Sequence, residues 1–151
     1  SRSSKHCGRR RLLRALALMT GTVLRVSGST KSVRAFLAST HWQPCSTYFR
    51  GELRAATSAR KNLVSGFNLS VSNASGLRLA AQVRAAIKFL GTERNELKRL
   101  RALGLSGVLD FGVASKPEAM ASFYKFPVQL LTGLASASLD LEVSYYGSQK
   151  R

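Results

Sequence analysis

Three carboxylates are the residues most able to do chemistry: Asp110 within residues 108–113, and Asp140 and Glu142 within residues 139–146. Both stretches alternate apolar and polar residues, and a strand sends successive side chains to opposite faces, so all three carboxylates fall on the polar side of a sheet. Carboxylates held together with diverging pKa values can run general acid–base chemistry. The same parity places Arg25, from residues 22–27, on that side, and cross-strand ion pairing with it is the stronger expectation.

The other chemical sets are weaker. His6, Cys7, His41 and Cys45 add up to two cysteines and two histidines, but adjacent His6 and Cys7 lack the usual spacing of zinc ligands. His41 and Cys45 could make a base and nucleophile, yet no acidic residue lies within ten positions of His41 to orient it. Gly28-Ser29-Thr30-Lys31 after the first strand suggests a phosphate-cradling turn, but without a glycine-rich loop it reads as a turn with a helix cap. Dinucleotide, Walker, esterase-elbow and H-E-x-x-H motifs are missing, and the Asn68 and Asn73 sequons are read as accidental. Neither cofactor nor metal is expected.

Charge is the unusual quantity. The chain of 151 residues carries a formal net charge of +17, and residues 1–101 hold 20 basic against 3 acidic side chains. Such asymmetry favours a polyanionic partner such as nucleic acid or a lipid surface. Arginine outnumbers lysine 16 to 8 amid abundant Ala, Leu, Ser and Gly, which coding bias alone would also produce. Arg50, Arg54, Arg60 and Lys61 crowd one loop beside Tyr48 and Phe49, a mixture able to grip single-stranded nucleic acid. Arg78, Arg84, Lys88 and the basic residues of 94–101 read as solvent faces of helices. Two cysteines are too few for a disulfide scaffold and place the protein in the cytoplasm. No apolar run approaches the ~18–20 residues of a membrane span.

The elements that must position these residues follow from periodicity. Residues 22–27 alternate, with Leu24 and Val26 on one face. Val33, Phe36 and Leu37 give a helix over residues 32–38 with Thr30 as its cap, and residues 39–59 read as a loop. Residues 63–72 form a half-buried strand with Phe67, Leu69 and Val71 inward. Leu79, Val83, Ala86, Ile87 and Leu90 line one arc of a long helix, with Arg78, Gln82, Arg84 and Lys88 on the opposite arc. Gly91 breaks that helix, Thr92 caps a second, and Gly104 stops it. Two strands follow, 108–113 and 139–146, separated by a short helix that starts at Pro127. The order β-α-β-α-α-β-α-β predicts an α+β domain over residues 19–151, a four-stranded sheet with helices packed on one face. Residues 1–18, where Arg14 interrupts the apolar stretch, are expected to be a basic extension, disordered or non-native, with the natural chain starting at Met19.

The strand at 22–28, the Pro44 to Arg50-Gly51-Glu52 loop, the strand at 66–71, the helical region 79–104, the strand at 108–113 and the Phe126-Pro127-Val128-Gln129-Leu130-Leu131 helix running into 139–146 share a pattern. In it the chain resembles the small bacterial proteins grouped as domain of unknown function 4279, over most of residues 20–148. Gly66-Phe67 stands where members commonly carry Gly-Trp, which keeps an aromatic at the strand's start. The resemblance implies an interaction protein, immunity-type among the forms, and carries over no catalytic residue.

Function is therefore expected to be non-enzymatic: binding of another protein through the open sheet face or the Arg-rich loop. The candidate surface comprises Arg50, Arg54, Arg60, Lys61, Arg25, Asp110, Asp140 and Glu142. A basic nucleic-acid-binding module is the alternative. If residues 1–18 stand outside the fold, a chain starting at Met19 melts within a few degrees of the full chain; a drop of many degrees in a thermal melt overturns the expectation.

Overall fold

The computed structural model describes residues 21–116 and 118–146, so the expectations for residues 1–18, His6 and Cys7 lie outside the described residues. Five strands and four helices occur among them: β1 (Thr22–Gly28), α1 (Thr30–Leu37), β2 (Ser46–Tyr48), β3 (Ser65–Ser72), α2 (Leu79–Thr92), α3 (Arg94–Ala102), β4 (Ser106–Ala114), α4 (Val128–Ala137) and β5 (Leu139–Tyr146). The strands form one mixed sheet in the order β2-β3-β1-β4-β5. The first three pairings are antiparallel; β4 and β5 run parallel, joined through α4. The protein is α+β, as expected, with five strands instead of four.

The added strand is β2, inside the stretch read as loop. Its three residues, Ser-Thr-Tyr, are too few to alternate, and two of them are exposed. It exists because the edge of β3 offers a ladder: Thr47 lies opposite Phe67 and Tyr48 opposite Gly66. A side chain at Gly66 would meet the Tyr48 ring and the Val26 carbonyl, so only glycine admits Tyr48 there.

Strand parity sets the core. Leu24 and Val26 of β1, Phe67 and Leu69 of β3, and Leu109, Phe111 and Val113 of β4 all point to one face and are buried. They form a single cluster with Val33 and Phe36 of α1, Val83, Ala86 and Leu90 of α2, Leu97 and Leu100 of α3, and Leu130 and Leu134 of α4. Helices thus cover one face. Phe36 stacks on Phe67 with 5.5 Å between ring centroids and meets Trp42 at 5.3 Å, which ties the loop after α1 to the sheet.

Several local expectations shift by a residue or a face. Ser29, not Thr30, caps α1: its side chain accepts from the Ser32 amide. That leaves the Thr30 hydroxyl for the buried Ser65, 2.6 Å away. Gly91 and Thr92 remain in α2, and Thr92 bonds back to the Lys88 carbonyl rather than capping α3. Gly104, at φ 71°, does end α3, in the left-handed conformation that costs glycine least. On β5 only Leu139 is buried, while Leu141, Val143 and Tyr145 are exposed, because β5 is an edge strand that α4 covers at one end only.

The largest correction is Gln82. Expected on the solvent arc of the long helix, it is fully buried. Its Oε1 accepts from the Thr22 hydroxyl at 2.8 Å, and its Nε2 donates to the carbonyls of Gly112 at 2.8 Å and Ser75 at 3.1 Å. One amide thereby joins α2 to β1, β4 and the turn that leads into α2. Gln82→Leu strands these polar groups and should cost ~2–4 kcal/mol in denaturant unfolding. Lys88→Ala on the exposed arc should stay within ~0.5 kcal/mol. Equal effects would place the helix in a different rotation.

Candidate functional site

The sheet order brings the expected polar cluster together. β1, β4 and β5 are neighbours, with Val23 opposite Asp110 and Asp110 opposite Glu142. Arg25 sits between the carboxylates, 2.7 Å from Glu142 and 3.7 Å from Asp110. The hydrogen bond that Arg25 donates to Glu142 is the main reason that the Arg25 pKa lies above its ordinary value; burial opposes it, and the charge of Asp110 adds to it. The Ser144 hydroxyl donates to Asp110, 2.9 Å from both carboxylate oxygens. Asp140 lies opposite Val108 at the exposed margin and joins no ion pair among the described residues. The arrangement is an ion-pair network on a face that no helix among the described residues covers.

The Arg-rich loop is more ordered than its composition suggests. Beyond β2 the chain makes a small antiparallel excursion: the Gly51 amide bonds to the Asn62 carbonyl, Asn62 to Glu52, and Arg54 to Arg60 at 2.9 Å. Leu53 and Lys61 pair across it. Its base is pinned by the Arg50 amide, which donates to the buried Ser65 hydroxyl at 2.9 Å. Arg50, Arg54, Arg60 and Lys61 are all exposed. The aromatic neighbour Phe49 is occupied, with the Arg34 guanidinium 4.9 Å from its ring centroid.

A second polar network escaped the sequence reading. Glu93 and Glu96 open α3, where their charge suits the helix dipole. They do more than that. Thr40 donates to Glu96 at 2.5 Å and the Trp42 indole to Glu93 at 2.8 Å. Arg99 bridges Glu96 at 2.6 Å to the Ser39 hydroxyl, and its guanidinium lies 5.2 Å from the Phe36 ring centroid. His41, expected to lack an orienting acid, finds Glu93 at 3.1 Å, more than fifty residues along the chain. Only a search across the loop 39–42 and α3 could pair them, and no spacing rule does so. Cys45 is exposed, its thiol 3.2 Å from the Asn68 carbonyl. Among the described residues no three His, Cys, Asp or Glu side chains gather as metal ligands.

Glu96 has a consequence for pH. Burial pushes its pKa up and is the largest single effect, but the hydrogen bonds from Thr40 and Arg99, with the charges of Arg99 and His41, together hold it below the ordinary value. A depressed folded pKa stabilises the protein above the unfolded value of ~4.3, and the benefit is lost as pH falls through the folded value.

No protein-family model, curated protein or solved structure matches the chain.

The native chain should therefore lose stability on acidification below about pH 5, and Glu96→Gln should lose less over the same range while starting ~1–3 kcal/mol less stable at neutral pH. Urea titrations at several pH values check both signs.

Proposed function

We propose that the chain is a cytoplasmic, non-enzymatic interaction protein that binds another protein, in keeping with its resemblance to the domain of unknown function 4279 proteins. The observation that carries the reading is the polar face of the sheet, which no helix among the described residues covers. Its central carboxylates, Asp110 and Glu142, are engaged by Arg25 and Ser144, which suits a rigid recognition surface better than acid–base work. Such a face, with charged groups pre-organised by one another, gives a partner fixed positions to match. No helix among the described residues is long and apolar enough to cross a membrane.

A nucleic-acid-binding module is the second reading, favoured by the exposed Arg54, Arg60 and Lys61 on the excursion beyond β2. Against it, the middle of the open face carries Asn68, Ser70 and Val108, and its two tyrosines, Tyr48 and Tyr146, stand apart on the opposite edge strands β2 and β5 rather than side by side as in a base-stacking platform.

Filter binding of RNA and DNA to the full chain over a salt series separates the two. Binding should be weak, blind to sequence and lost near physiological salt, and reversing Arg54, Arg60 and Lys61 together should flatten its salt slope. Submicromolar affinity at physiological salt would promote the second reading. A photo-crosslinker at Val108, central on the open face, should yield one discrete protein adduct in cells; the absence of any adduct would overturn the reading.

A further inference from the structure

A groove of about 510 Å³ opens on the helical side of the molecule, opposite the sheet face that carries Arg25, between α3 and α4 with the end of α2 beneath. One wall is basic: Arg94, Lys98 and Arg101 stand on α3 at i, i+4 and i+7, all lining the groove and all exposed. None of the three joins an ion pair among the described residues, whereas Arg99, the one arginine of α3 that turns toward the loop at 39–42, is fully engaged. The facing wall on α4 presents the hydroxyls of Thr132 and Ser136. The floor is apolar, with Ile87 half-buried and Leu90 and Leu97 buried beneath it.

We infer that this groove seats an acidic amphipathic helix of a partner protein. The inference rests on the reading of the chain as an interaction protein and adds a second surface to it. Three cations along seven residues of helix span about 10 Å. A small ligand with one anionic head cannot meet a stripe of that length at every position. A helix laid alongside can, because carboxylates on its own i, i+4 and i+7 positions repeat at the same interval. Its neighbouring apolar stripe then falls on the apolar floor, where the half-buried Ile87 is the accessible side chain, the mode by which amphipathic helices enter grooves. A nucleic-acid strand would match the charge but not the floor, since no aromatic ring lines the groove for bases to stack upon.

The test uses the full chain and a synthetic peptide of about 20 residues, long enough to hold a helix when bound, with Glu at i, i+4, i+7 beside a Leu stripe. Fluorescence anisotropy at physiological salt should show saturable binding, with no binding of the peptide in which Lys replaces Glu. Reversal of Arg94, Lys98 and Arg101 to Glu should weaken affinity at least ~10-fold, and so should Ser136→Trp, which fills the groove without changing charge. Reversal of Arg54, Arg60 and Lys61 alters net charge equally and should weaken it less than ~3-fold, because exposed charges beyond a Debye length are screened. The altered positions of α3 and Ser136 are exposed, and thermal melts should leave all variants folded. The inference is overturned if Ser136→Trp binds normally, if the loop reversal matches the groove reversal, or if oligo(dT) or laurate displaces the peptide from the groove. Crosslinking from Val108 in the same variants reports the open face separately, so loss of the groove leaves that reading standing.

Discussion

The buried amide of Gln82 is the constraint on which the rest of the packing depends. An amide with nothing to bond to would cost several kcal/mol in that interior. Here it closes a small circuit: the Thr22 hydroxyl donates to it, and it donates to carbonyls of β4 and of the turn before α2. Apolar packing tolerates sliding and rotation, whereas these bonds are met in one orientation of α2 only. With α2 so placed, Val83, Ala86 and Leu90 must face the sheet and α3 must leave the C-terminal end of α2 in a set direction.

The network at Glu93 and Glu96 then sets what α3 shows to solvent. Glu96 and Arg99 are taken up by Thr40 and Ser39, so the helix is fastened along the side that meets the loop after α1. Arg94, Lys98 and Arg101 are left on the far side, facing α4 across the groove. A surplus of positive charge that composition spreads over the chain is thereby sorted. Some is neutralised within the fold, as at Arg25 and Arg99, and some is gathered where an anion of another molecule can reach it.

Partly covered edges are the other feature of the architecture. β2 is short and polar, a blunt edge, while β5 is long and leaves Leu141, Val143 and Tyr145 exposed. Along it Asp140, which joins no ion pair among the described residues, places a charge that opposes strand-to-strand association.

Much of this was legible in the residues themselves. Alternation at 22–27, 63–72 and 108–113 located three strands and their inward faces, because a period of two is a local property of the backbone. The same parity placed Arg25, Asp110 and Glu142 on one side, and the Gly104 stop needs no more than its own φ. What the residues could not decide were relations between distant segments. β2 has no pattern of its own and is a strand only because β3 offers it an edge. Gln82 reads as a solvent residue because an amide is polar, and it is internal because the Thr22 hydroxyl and the carbonyls of Ser75 and Gly112 converge there to bond it. His41 met its acid through the loop 39–42 folding onto α3, and the stripe of Arg94, Lys98 and Arg101 became a wall only when α4 closed the other side. Local periodicity determines which face of an element is apolar; which polar groups meet depends on hydrogen bonds and charges brought together from far along the chain, and only the tertiary structure supplies them.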